Sequence, residues 1–113
     1  MINWGQVKEL EAEIGPEDFG DIVEVFIEEV DEAVAALKGA TLEGDELASV
    51  MHFLKGSSAN LGFEDLAAYC SDGEVKAKEG AVADVSLSKV ISLYHDSKAK
   101  FMAEAADHIN YSP

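Results

Sequence analysis

The run HFLKGSSANLG, His52 to Gly62, places a lysine, Lys55, three positions after a histidine and follows it with small residues. A neutral imidazole nitrogen is a good nucleophile near physiological pH, because its unperturbed pKa is about 6.5. An ammonium three residues along a helix stands beside any anion that becomes attached to that imidazole, and an incoming phosphoryl group is the obvious anion. The residue types suit a phosphoryl acceptor, provided that the segment is helical and the histidine points outward.

The periodicity meets both conditions. At roughly 100° per residue, Leu47, Val50, Leu54 and Leu61 fall roughly 160° to 220° from His52, so the imidazole faces away from the core. Around it on the outward face lie Ala48, Ser49, Lys55, Gly56 and Ala59, with Asp45 two turns back. Exposed helix faces normally carry Glu, Lys and Gln, and Gly56 costs about 1 kcal/mol relative to Ala in a helix interior. A lone histidine on a helix is usually structural; a histidine ringed by small residues is a surface that something approaches closely. Ser57 and Ser58 fall roughly 140° and 240° from His52, where they either bond backbone carbonyls or admit close packing. Asn60, roughly 80° away, either contacts a partner or satisfies the helix end.

Autonomous phosphoryl transfer needs machinery that the chain lacks. It has no GxxxxGK[ST] loop, no glycine-rich nucleotide loop and no arginine, all eight of its basic residues being lysine. The expectation is a phosphoryl carrier without kinase activity of its own; the competing possibility is a helical adaptor that binds or sequesters a partner with the same face and carries no phosphate. A metal or hydrolase site has no support: His95 and His108 show no ligand spacing, no D-x-[DN]-x-[DN]-G loop occurs, and Cys70 falls on an apolar stripe as a core thiol.

The elements that must hold this face are helices. Trp4, Val7, Leu10 and Ile14 predict a short amphipathic helix capped by Asn3 and ended by Gly15-Pro16. Phe19, Ile22, Val23, Phe26, Val30, Ala33, Val34 and Leu37 extend one stripe from Pro16 to Gly39. The His52 helix stops at Gly62, and Phe63, Leu66, Ala67, Cys70 and Ala77 trace a fourth helix, in which Asp72-Gly73 is expected to bend or interrupt the run. Asp84 or Ser86 caps a fifth, carrying Leu87, Val90, Ile91, Tyr94, Phe101, Met102, Ala105 and Ile109. No sustained two-residue alternation predicts a sheet. The fold class is all-α: an up-and-down antiparallel four-helix bundle with an additional short N-terminal helix.

The 113 residues suit one domain spanning 1–113 with a genuine core. A formal charge of -15 makes nucleic acid and anionic membrane poor partners and favours a monomer. One cysteine, no leader pattern and no long apolar run point to the cytoplasm. The chain starts with Met and ends soon after the last helix, as expected for a free-standing protein, although a piece of a larger hybrid kinase would read similarly.

HFLKGSSANLG followed by Leu66, Cys70 and Glu74 resembles the signature of histidine-containing phosphotransfer (HPt) domains, H-x-L-K-G-S-S-x-x-L-G with leucine, cysteine and glutamate on the next helix. The likeness is dense over His52 to Glu74 and looser elsewhere, taking in Asn3-Trp4, Phe26 and Glu43-Gly44-Asp45; Gly73 departs from the usual leucine. The resemblance implies that His52 accepts a phosphoryl group from a phosphoaspartate on a response-regulator receiver domain and passes it to another receiver's aspartate. It also implies that Lys55 assists the phosphate, that Gly56 leaves room for the receiver, and that a hybrid sensor histidine kinase is among the partners. The carrier itself needs no cofactor; magnesium is expected in the receiver.

Overall fold

The computed structural model describes residues 2–111. Helix α1 covers Trp4–Ile14, and Asn3 caps it, its side-chain oxygen accepting from the Gln6 amide at 3.1 Å. Gly15, at φ 101°, turns the chain into α2, Pro16–Ala35, with Pro16 in its first turn beside Glu17 and Asp18. The apolar stripe promised a helix to Gly39, yet α2 ends four residues earlier. Its last amides, Leu37 and Lys38, bond three residues back to Val34 and Ala35, tightening the end into turns.

Helix α3, Gly44–Asn60, carries His52, and α4, Glu64–Lys78, follows after only three residues. Gly62 makes that corner at φ 72°, and a methyl there would lie 2.7 Å from both the Asn3 carbonyl oxygen and Val7 Cγ2. The same carbonyl corner accepts the Asn3 amide, Asn3 N to Gly62 O at 2.7 Å, which ties α1 to the α3–α4 junction. Only glycine serves both the turn and the close approach. Helix α4 runs without interruption through Asp72-Gly73, contrary to the expected break: Gly73 is buried against Met51, and the contact outweighs its weak helix propensity. A single 3₁₀ turn, Val82–Asp84, precedes α5, Leu87–His108, whose cap is Ser86, accepting from the Lys89 amide at 3.2 Å.

α2 packs on α3 and α5, α3 on α4, and α4 on α5, closing a ring of four helices, while α1 lies against α2 and α3. Phe19, Leu47, Met51, Leu54, Phe63, Leu66, Tyr94 and Phe101 fill the core. Trp4 fixes α1 to the end of α5: it stacks on Phe101 and His108 at centroid separations of 5.1 and 4.4 Å and donates to Glu104 at 3.3 Å. Asp31 of α2 accepts from the Tyr94 hydroxyl and from Lys98 of α5, the latter at 2.9 and 3.0 Å. Burial raises the Asp31 carboxyl, but these donors outweigh it and hold the group below its usual range. The bundle is thus pinned on the α2–α5 side by a satisfied polar cluster. Among the described residues no strand occurs, only an isolated bridge between Ile2 and Phe63.

Candidate functional site

Helix α3 turns His52 outward: its side chain is 70% exposed, whereas Met51, Leu54 and Leu61 are buried. The next helix supplies the groups that decide its chemistry. Glu74 of α4 has a side chain only 9% exposed, and its Oε2 lies 3.1 Å from His52 Nδ1. Lys55 donates to Glu74 Oε1 at 2.7 Å, and Lys78, one turn further along α4, stands 3.1 Å from Oε2. Hydrogen bonds from Lys55 and then Lys78 lower the Glu74 carboxyl from 4.5 to about 2, against the opposing effect of burial. At neutral pH it is a carboxylate and can only accept, so His52 Nδ1 must carry the proton that is shared with it. The Nε2 lone pair is left free on the exposed ring.

Two ammoniums face one carboxylate here, on a chain whose net charge is -15. Ala48, Ser49, His52, Glu74 and Lys78 line a recess of about 360 Å³, open enough for an anion on the imidazole to reach both α3 and α4. On the other flank of α3, Ala33, Ala36, Leu37, Leu42, Ser49, Val50 and Phe53 line an apolar groove of about 300 Å³. Ser49 belongs to both, and Phe53 is 39% exposed, so the recess that His52 lines adjoins an apolar groove.

Among the residues singled out from sequence, Ser49, Gly56 and Ala59 share the exposed face, Lys55 bridges to α4, and Asn60 is the half-buried last residue of α3. A methyl at Gly56 would meet nothing within 4 Å, so nothing inside the chain demands glycine there. Ala48 departs from its expected outward position: it is 8% exposed, because α4 closes over that edge of α3 and makes it part of the recess wall. Ser58 is buried, and its hydroxyl has no partner among the described residues, which leaves close packing as its role. The family signature includes Glu74 but gives it no task, and the periodicity of α3 alone does not single out Lys78 or Phe53. The available signal was Leu66, Cys70 and Glu74 at four-residue spacing, a carboxylate on a core stripe that must find a cation.

The remaining candidates fall away from this site. Burial pushes the Cys70 thiol up to about 12, an unreactive state. His95 is exposed beside Tyr94, and His108 is stacked on Trp4. Among the described residues, no cluster of three or more His, Cys, Asp or Glu side chains is arranged to hold a metal ion.

The Hpt domain family matches residues 21–99, a span that includes His52, Lys55, Glu74 and Lys78. The chain belongs to the Hpt domain family. It is similar to the phosphorelay protein LuxU of Vibrio harveyi, 29% identical over 84% of this chain and 87% of that one. It is also similar to the LuxU protein of Vibrio cholerae serotype O1, 32% identical over 76% and 78%, and to that of Vibrio vulnificus strain YJ016, 25% identical over 95% and 96%. No solved structure matches the chain. Among the described residues, no helix of this Hpt protein is long and apolar enough to cross a membrane.

Proposed function

We propose that His52 accepts a phosphoryl group at Nε2 from a receiver-domain phosphoaspartate and passes it to the aspartate of another receiver. As a member of the Hpt family with phosphorelay relatives, the chain is a phosphorelay intermediate in two-component signalling. In the accepting step the Nε2–P bond forms as the acyl phosphate's P–O bond breaks, and the donor carboxylate leaves with that electron pair. The Nδ1 proton stays in place, and the positive charge that the ring acquires is met by the Glu74 carboxylate 3.1 Å away.

The observation that carries this reading is the Glu74–His52 contact: the carboxylate accepts from the inner nitrogen, which keeps the ring proton there and leaves the outer nitrogen free on a 70% exposed side chain. Lys55 and Lys78 stand ready to exchange their pairing with Glu74 for pairing with the phosphoryl oxygens. Exposed ion pairs are worth about 0–1 kcal/mol, so these lysines tune phosphohistidine rather than lower the barrier. That task falls to the receiver's magnesium and acidic pocket; this chain needs no cofactor of its own. Ser49, Gly56, Ala59 and Asn60 form the docking face with the edge at Ala48, and the groove beside Phe53 continues it.

The partners are response-regulator receivers and a hybrid sensor histidine kinase, met in the cytoplasm by a monomer that acts as one domain over residues 1–113. A net charge of -15 supports receivers over nucleic acid or anionic lipid. Incubation with a phosphorylated receiver, followed by stability tests of the transferred label, checks the proposal. An acid-labile, alkali-stable label on this chain is expected; tight binding without label would make it an adaptor instead.

A further inference from the structure

Met51 immediately precedes His52 on α3, and Gly73 immediately precedes Glu74 on α4. These two predecessors meet beneath the site: a methyl at Gly73 would lie 3.1 Å from Met51 Sδ and 3.4 Å from Met51 Cγ, with Val85 Cγ1 at 3.5 Å. Met51 is completely buried, so its side chain has no solvent to retreat into. Glycine is a poor choice for the interior of an unbroken helix, yet α4 carries it here, directly under the carboxylate that orients the histidine.

We propose that Gly73 is a positioning residue for His52: the missing side chain lets α3 and α4 approach at the level where Glu74 must reach His52 Nδ1. Met51 and Val85 occupy the space that a side chain at this position would claim, so added bulk must separate the two helices or displace Met51. A displacement of a few tenths of an ångström is enough. Added to the 3.1 Å between His52 Nδ1 and Glu74 Oε2, it brings that contact to the roughly 3.5 Å edge of hydrogen bonding. The Lys55–Glu74 pair, at 2.7 Å, has slack and survives the same shift. The imidazole alone then loses its anchor. A ring protonated on Nε2 has no lone pair there to attack phosphorus, so the fraction of rings ready to react falls.

The effect on transfer rests on the reading of His52 as the phosphoryl acceptor, whereas the effect on the ring does not. The test therefore uses two measurements on the full chain as wild type, Gly73→Ala, Met51→Val and the double variant. Nitrogen-15 NMR of the imidazole reports which ring nitrogen holds the proton, and the initial rate of labelling by phosphoramidate reports reactivity without a protein donor. Wild type is expected to hold the proton on Nδ1. Gly73→Ala shows a mixture and labels more slowly in proportion to the Nδ1–H fraction it loses, about threefold where roughly a third of the rings keep the proton on Nδ1. The double variant, with the Sδ contact removed, returns the ring to the Nδ1–H form and the rate to within about twofold of Met51→Val.

A folded Gly73→Ala protein with an unchanged ring overturns the proposal, as does a double variant that keeps the defect. Should Gly73→Ala fail to fold, the double variant is compared with Met51→Val: equal ring states uphold the proposal and unequal ones overturn it. If the ring states follow the expected order but wild type takes no label from either phosphoramidate or a phosphorylated receiver, the positioning role stands and the acceptor reading falls.

Discussion

Replacing Gly56 should move stability and function in opposite directions. Gly56 lies inside α3, four residues from its end, and a methyl there would meet nothing within 4 Å. Gly56→Ala therefore gains helix propensity of about 1 kcal/mol with no clash to offset it. For a chain of 113 residues, an unfolding entropy of about 2.1 cal/mol/K per residue turns that gain into a rise in Tm of roughly 4 °C. Gly56→Leu keeps much of the gain and adds a bulky side chain to the face beside His52. If a receiver must seat its aspartate there, overpacking the contact costs about 1–3 kcal/mol, a slowing of transfer of roughly 5-fold to 160-fold. Thermal melts followed by circular dichroism give the first quantity, and label transfer from a phosphorylated receiver gives the second. Labelling by phosphoramidate, which needs no docking, serves as the control and should stay unchanged. A Tm that falls in Gly56→Ala would show that the chain itself needs this glycine; full receiver transfer in Gly56→Leu would show that the face need not be clear.

At the α3–α4 corner, Gly62→Ala forces a methyl within 2.7 Å of the Asn3 oxygen and Val7 at positive φ, so urea unfolding followed by Trp4 fluorescence should show a loss of about 2–5 kcal/mol. The Glu74 carboxyl is depressed in the folded protein, so its contribution is complete above 4.5 and is lost as pH falls toward about 2; acid titration of wild type should show this segment of the stability curve and Glu74→Gln should lack it. Lys55→Ala leaves Lys78 at the carboxylate and should slow phosphate acceptance by about tenfold or less, measured as the initial rate of labelling by a phosphorylated receiver.

The outward direction of His52 and the burial of Leu47, Leu54 and Leu61 were legible because both follow from the period of a single helix. Glu74 and Lys78 were not, because they reach His52 from 22 and 26 positions away and only the packing of α4 on α3 brings them across. The same packing explains Ala48, which one helix alone would leave outside and which the neighbouring helix encloses. Gly73 shows the limit of propensity in the opposite sense. Local preference reads it as a break, and its contact with Met51 makes it part of the α3–α4 seam. The early end of α2 reflects backbone bonding in its last turn, which the apolar stripe through Leu37 does not encode.

The most direct measurement of the central claim is phosphate acceptance by His52→Gln. The variant removes the ring whose side chain is 70% exposed, so little of the core is disturbed and it should fold as wild type does. Incubated with a phosphorylated receiver, wild type should take an acid-labile, alkali-stable label and His52→Gln should take none. Persistent labelling of the folded variant would contradict the account.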